Sequence, residues 1–304
     1  MKLNIKANFL YWVYNILLLL YWATLIPVLI YRLFREEGFF QRIKQSIGWL
    51  PEDLKKKISD RDAIWIHAAS VGEIVAASPI VREMRKEHPE EVIIVSVVTA
   101  TGFSMAHRII EGADGILYFP LDLPYFTSRI LNIVNPKGIV LVETEIWPNL
   151  YYFAAKNGKL FIVNGRLTER KLKSYLKFKW FIRNTVNCAE KIMVQSDFDK
   201  KRYEKLGISE NKIKVYKNLK YSIKYNEISD EKKKYYFDTV LDKNKKIIVC
   251  GSTRPDEEKI WLEVLKKINQ NNEYQLVLVP RHLERIGEIE KIILENFSKK
   301  DYLL

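Results

Sequence analysis

Three rhythms of apolar and polar positions divide this chain. Ala7 through Tyr31 is an apolar and aromatic run with no charged residue, bounded by Lys6 and Arg32. As a helix it would extend ~37 Å at ~1.5 Å per residue, enough to cross a bilayer core of ~30 Å. Residues 32–61 are mixed and basic, and read as a juxtamembrane connector. From residue 62, short β-branched runs alternate with amphipathic stretches, which predicts a parallel sheet wrapped by helices. Strands are expected at Ala63–Ala68, Val92–Val98, Gly115–Phe119, Gly138–Val142, Lys159–Val163 and Lys191–Gln195, the last of this half, and Ile213–Tyr216 is expected to end the domain. Ser78-Pro79 reads as the start or restart of a helix, since proline is tolerated at a first helical position. Glu169 to Val186 reads as one helical stretch, and Ser196 as the cap of the next. Residues 62–216 then form one domain and 217–243 a charged connector. Residues 244–304 begin a second α/β unit, with strands at Lys246–Gly251 and Tyr274–Pro280 and helices at Pro255–Ile268 and Leu283–Phe297. Two strands are few for a doubly wound domain, so this unit is expected to be partial.

Charge and composition narrow the partners. The net charge is +13, which suits nucleic acid, an anionic membrane surface or phosphorylated substrates. No RNA-binding signature, zinc finger or aromatic-studded basic strand is present, which argues against nucleic acid. The first apolar run is too long for a signal peptide and lacks a small-residue cleavage site after it. Tyr11, Trp12, Tyr14, Tyr21, Trp22 and Tyr31 line it, and Arg32, Arg35, Arg42 and Lys44 follow it. This balance predicts a membrane anchor with the globular part on the cytoplasmic side. A buried core helix and a shallow anchor interrupted near Pro27 are the alternatives. Cys188 and Cys250 lie far apart and suggest neither a disulfide framework nor a zinc site.

The candidate chemistry lies where strands end. Ser70-Val71-Gly72-Glu73, Thr99-Ala100-Thr101-Gly102, Glu143-Thr144-Glu145 and Asn164-Gly165-Arg166 all follow strands. In a parallel sheet such loops emerge on one edge and can share a cleft. Glu73 could take a proton from an incoming hydroxyl. Equally, it could be an acidic residue favouring the positive end of a helix, worth ~0.3–1 kcal/mol. Glu143 and Glu145 are two apart on an extended segment, so only one should face Glu73's pocket, and Glu145 is favoured. Thr99, Thr101, Gly102 and Arg166 could hold an anion or an acceptor, or the Thr99 loop could simply cap a helix. His67 lies inside a strand and reads as a core histidine. In the second unit, Gly251-Ser252-Thr253-Arg254 and Pro280-Arg281-His282 suit phosphate recognition at helix N-termini. No P-loop, Gly-x-Gly-x-x-Gly fingerprint or nucleophile elbow is present, and His67, His88, His107 and His282 are too dispersed for a metal site.

Ser70-Val71-Gly72-Glu73, Glu143-Thr144-Glu145-Ile146-Trp147-Pro148-Asn149, Asn164-Gly165-Arg166-Leu167, Asn218-Leu219-Lys220 and Pro280-Arg281-His282 occur in this order. As an ordered set they resemble the 3-deoxy-D-manno-octulosonic acid (Kdo) transferase family of lipopolysaccharide synthesis, over roughly residues 30–304. The resemblance implies a GT-B glycosyltransferase, with two Rossmann-like domains facing across a cleft. It implies inverting transfer of Kdo from CMP-Kdo to a lipid A precursor, without metal or other cofactor. By that resemblance Glu73 is the general base, Glu145 and Lys220 support the transition state, and Arg281 and His282 hold CMP, with Ser252 and Thr253 as weaker candidates. The family's Gly-rich stretch and Asn-x-x-Glu nucleotide segment would lie beyond Leu304, so part of the CMP site is expected to be absent. Lys217 stands where the family commonly has glycine. A lipid glycosyltransferase using a UDP-sugar, and an inactive glycolipid-binding remnant, are the other readings.

Overall fold

The computed structural model describes residues 5–36, 38–59, 61–157, 159–222 and 228–303; the side chains of 5–8, 157, 220 and 222 lie outside that description. The chain divides into two compact units, Met1–Lys224 and Tyr225–Leu304.

The first unit opens with helices α1 (Ile5–Arg35), α2 (Phe39–Ser46) and α3 (Glu52–Ile58). Strand and helix then alternate: β1 (Ala63–His67), α4 (Val71–Glu87), β2 (Val92–Val97), α5 (Ala100–Ile109), β3 (Gly115–Tyr118), α6 (Pro124–Val134) and β4 (Pro136–Val142). The alternation continues through α7 (Pro148–Asn157), β5 (Lys159–Gly165), α8 (Glu169–Leu176), α9 (Lys179–Val186), β6 (Lys191–Val194), α10 (Asp197–Lys205) and β7 (Ile213–Val215). Among the described residues the strands form one seven-stranded sheet in the order β3-β2-β1-β4-β5-β6-β7. Every neighbouring pair in it is parallel.

Both faces of this sheet are covered, so its central strands are apolar at nearly every position. In β1, Ala63 and Trp65 enter one core with helices α3, α6 and α7. Ile64 and Ile66 point oppositely, into a second core with α4 and α5. The chain runs from β1 outward to β2 and β3, then returns to place β4 on the other side of β1. The gap between the ends of β1 and β4 is therefore the topological switch point, where open α/β sheets bind ligands.

Several elements differ from their sequence expectation. The stretch 32–61 is not merely a connector: it holds α2 and α3, and Leu50, Leu54 and Ile58 are buried in the first core. Gly115 leaves room for this, since a Cβ there would stand 2.3 Å from a Leu54 methyl. Pro79 neither starts nor restarts a helix but sits inside α4. The Ser78 hydroxyl donates to the Ile109 carbonyl at 3.2 Å, tying α4 to the end of α5. Glu169–Val186 breaks into α8 and α9 around Lys177 and Phe178.

The second unit contains α11 (Asp230–Thr239), β8 (Lys246–Thr253), α12 (Glu257–Ile268), β9 (Tyr274–Pro280) and α13 (Ile286–Leu294). Its two described strands pair in parallel. The expected connector 217–243 thus carries a helix, and the expected Leu283–Phe297 helix is a 3-10 turn, Leu283–Arg285, followed by the shorter α13.

Candidate active site

Glu73 stands in the first turn of α4, directly after the end of β1. The Ser70 hydroxyl accepts from the Glu73 N–H at 3.4 Å and donates to Glu73 Oε1 at 3.1 Å. The Ala69 N–H donates to Glu73 Oε2 at 2.6 Å. Ser70 thus caps α4, and Glu73 answers through the Ser70 hydroxyl and the preceding Ala69 N–H, a variant of the capping box, so the helix-terminus reading of Glu73 is realised. It does not exhaust the residue. Glu73 is 7% exposed. Burial pushes its pKa up to about 7, Glu145 and then Glu143 add to the rise, and the Ala69 and Ser70 hydrogen bonds oppose it. A carboxyl poised near neutrality can take a proton and give it back.

Both glutamates after β4 act electrostatically on Glu73, and the extended geometry from which only one was expected to face its pocket is not kept. The segment is not extended: Glu143 has φ 64°, a left-handed conformation that breaks the alternation of side chains. Glu145 exerts the larger effect of the two. Its own pKa is raised by burial, while Lys171 pulls it down. Lys171 also reaches the Thr144 carbonyl at 3.5 Å. Lys171 is the residue that the sequence did not single out, because it is one of many lysines on a basic helix. Only the packing of α8 brings it to the end of β4.

Loop joins loop along this edge. The Thr144 hydroxyl donates to the Arg166 carbonyl at 2.6 Å and accepts from the Arg166 N–H at 3.1 Å. Asn164, in the left-handed region at φ 55°, accepts from the Leu219 N–H at 3.1 Å. Asn218 donates to Gln195 Oε1 at 3.3 Å. The 3-10 turn Leu219–Ser222 packs against α4, and Leu219 lies against the second core. The backbone of Lys220 is thereby held near the helix that carries Glu73, while its side chain lies outside the described residues. Arg166, Gln195, Ser196, Lys217, Asn218 and Tyr221 help line a cavity of about 640 Å³.

The Thr99 loop takes the capping role. Thr99 Oγ1 accepts from the Gly102 N–H at 3.0 Å. A Cβ on Gly102 would stand 2.9 Å from Thr99 Oγ1 and 3.1 Å from an Ile74 methyl, so glycine lets α5 approach α4 closely. Thr101 is exposed, its hydroxyl 3.3 Å from that of Thr99. His67 is a core residue: it is fully buried, stacks 4.0 Å from Phe119, and is pushed down to about 3 by burial.

In the second unit, Arg281 and His282 are exposed on the turn after β9, with His282 Nδ1 3.6 Å from Glu284. Ser252 is exposed in a left-handed conformation at φ 63°. Thr253 differs from expectation. It is buried, and its hydroxyl donates to Glu258 at 2.7 Å, where Arg285 completes an internal ion pair at 2.9 Å. Among the described residues no group of His, Cys, Asp or Glu is arranged to hold a metal ion.

A parallel sheet with carboxylates at its switch point, followed by a second βαβ unit, is a two-sheet α/β architecture of the Rossmann-like, GT-B kind. Solved structures share it: a UDP-GlcNAc 2-epimerase from Neisseria meningitidis aligns with TM-score 0.56 at 15% identity, over 77% of this chain and 70% of that one. The Methanocaldococcus jannaschii UDP-GlcNAc 2-epimerase aligns with TM-score 0.55 at 16% identity, over 78% and 71%. At such identities the likeness is one of fold. Sequence carries the comparison further. The chain belongs to the 3-deoxy-D-manno-octulosonic-acid transferase (kdotransferase) family, which matches residues 41–223. It is 35% identical over 274 residues to a bifunctional glycosyltransferase/methyltransferase of Fusobacterium nucleatum, covering 89% of this chain and 42% of that protein. It is 32% identical over 234 residues to the 3-deoxy-D-manno-octulosonic acid transferase of Haemophilus influenzae, covering 76% and 54%. The chain thus spans about half the length of the curated relatives it matches.

Proposed function

We propose that this chain supplies the acceptor half, and part of the nucleotide half, of a membrane-associated inverting glycosyltransferase that moves Kdo from CMP-Kdo to a lipid A precursor. The observation that carries the reading is the buried carboxyl of Glu73 at the switch point, raised to about 7 in a chain of the kdotransferase family. An acceptor hydroxyl gives its proton to Glu73 as its oxygen attacks the anomeric carbon of the donor sugar. The bond from that carbon to the CMP phosphate breaks, and the electron pair leaves with the phosphate. Glu145, whose charge Lys171 favours, and Lys220 support the developing charges, as preorganised groups do in a water-poor site. Arg166 faces an anionic acceptor, and Arg281, His282 and Ser252 face CMP. Thr99 and Gly102 are not assigned to an anion, because capping and helix packing account for them. Thr253 is not assigned to CMP, because its hydroxyl serves Glu258. The apolar α1 and its basic flank bring the protein to the cytoplasmic face of the inner membrane.

A UDP-sugar donor is the second reading, since the fold itself accommodates one: the Neisseria structure is bound to UDP-GlcNAc. The test is a transfer assay in membranes of cells expressing the protein at its full encoded length. Labelled CMP-Kdo and UDP-sugars compete for a lipid A precursor. Kdo incorporation that Glu73→Gln abolishes is the expected result; incorporation only from a UDP-sugar selects the second reading.

A further inference from the structure

Helix α1 is long and apolar enough to cross a membrane by length and composition. A crossing helix would leave the globular body at its C-terminal end, carrying its first turns to the far side. The contacts are otherwise. Near its N-terminus, Tyr14 Oη donates to the buried Asp122 carboxylate at 2.8 Å. Asn149, fully buried, donates through Nδ2 to Asn15 Oδ1 at 2.9 Å and accepts from the Tyr11 hydroxyl. The Tyr11 ring packs on Tyr152 at 4.9 Å and the Tyr14 ring on Phe181 at 5.7 Å. At the other end, the Arg32 guanidinium stacks over Phe39 of α2 at 5.0 Å, and Phe39 is buried. Tyr11 and Arg32 are separated by ~32 Å of helix. Both ends therefore touch the same globular unit, and α1 lies along its surface.

Asp122 explains why the docked end is specific. Its carboxylate also accepts from the Asn149 and Leu150 N–H groups at 3.2 and 3.0 Å. Burial still raises its pKa to about 7. Undocking α1 would remove the Tyr14 donor from a buried carboxyl and the Asn15 partner from a buried amide, which is costly in any apolar surrounding. Among the described residues the opposite face of α1 is open: Phe9, Trp12, Leu17, Leu20, Tyr31 and Phe34 are each more than half exposed. Beside it, Lys44 stands 4.5 Å over the exposed Phe40 ring and 5.8 Å over the exposed Trp49 ring. Aromatic rings interleaved with cations beside an apolar helix face suit the boundary between acyl chains and anionic headgroups.

We infer that α1 lies in the plane of one leaflet of an anionic bilayer, docked to the body through Tyr11, Tyr14 and Asn15, rather than spanning it. The inference rests on the membrane association proposed above and specifies its mode. The basic aromatic edge of α2 meets the headgroups, and the switch-point edge belongs to the unit so attached.

The test uses the full chain with Cys188 and Cys250 replaced by serine, carrying Asn4→Cys, and in a second variant Lys299→Cys. Sealed inside-out membrane vesicles are treated with a membrane-impermeant maleimide before and after permeabilisation. Equal labelling of both thiols before permeabilisation is expected. Labelling of the Asn4→Cys thiol only after permeabilisation, with Lys299→Cys reactive throughout, would show a spanning helix and overturn the inference. Loss of the protein from washed vesicles would instead remove the membrane reading itself. A Tyr11→Cys, Tyr152→Cys pair should be bridged by a short bis-maleimide in the same vesicles; a spanning helix gives no bridge.

Discussion

At Glu73 the capping hydrogen bonds and burial act on one carboxyl in opposite directions. The Ala69 and Ser70 donors favour the ionised form, while burial and the neighbouring Glu145 and Glu143 disfavour it more. As a general base Glu73 works ionised, so transfer should rise as pH passes upward through about 7. Glu73→Gln retains the shape and one acceptor for the cap, yet should lower the rate by ~10²–10⁴-fold and flatten that limb; near-normal turnover would remove Glu73 from the chemistry. Stability should respond separately. The folded protein holds this proton more tightly than the unfolded chain, so Glu73 costs stability as pH rises from 4.5 towards 7. His67 runs the other way: buried neutral, it costs stability as pH falls below 6.5 towards about 3. The two overlap, so the difference between Glu73→Gln and the parent isolates the glutamate. Measured by denaturant titration, that difference should shift in favour of the variant by up to about 2 kcal/mol across the window, after solvent screening. A difference independent of pH would mean that Glu73 is not buried as described.

Among the elements, α3 changes most from its sequence reading. Its lysines gave a connector, yet Leu54 and Ile58, four residues apart, share the face that enters the main core. A short helix hides this, because two apolar positions are too few to establish a period. Leu54→Ala should therefore cost ~2–5 kcal/mol, the usual loss for a buried leucine, in thermal or denaturant unfolding. A loss below ~0.5 kcal/mol would return α3 to the status of a surface connector. The same limit applies to Glu143. Alternation is a rule for extended backbone, and a left-handed residue in the loop cancels it.

For the whole molecule, the +13 charge and the uncovered face of α1 join in one expectation. Binding to vesicles containing anionic lipid should weaken several-fold between ~50 and ~500 mM salt, as screening shortens the reach of the basic edge. It should not vanish, because apolar burial is insensitive to such screening. Flotation across a salt series would measure both parts; complete release by salt would leave α1 no part in attachment.

By itself the sequence determined the alternation of strand and helix, the common edge of the polar loops, and the ordered motifs that resemble the kdotransferase family. These follow from local periodicity and short-range spacing, which a one-dimensional string preserves. Tertiary structure alone decided that Lys171 reaches the Thr144 carbonyl and acts on Glu145, that Thr253 turns inward to Glu258, and that α1 folds back onto Asp122 and Asn149. Each of these joins residues on different elements, and the alignment of those elements is set by packing rather than by the order of residues along the chain.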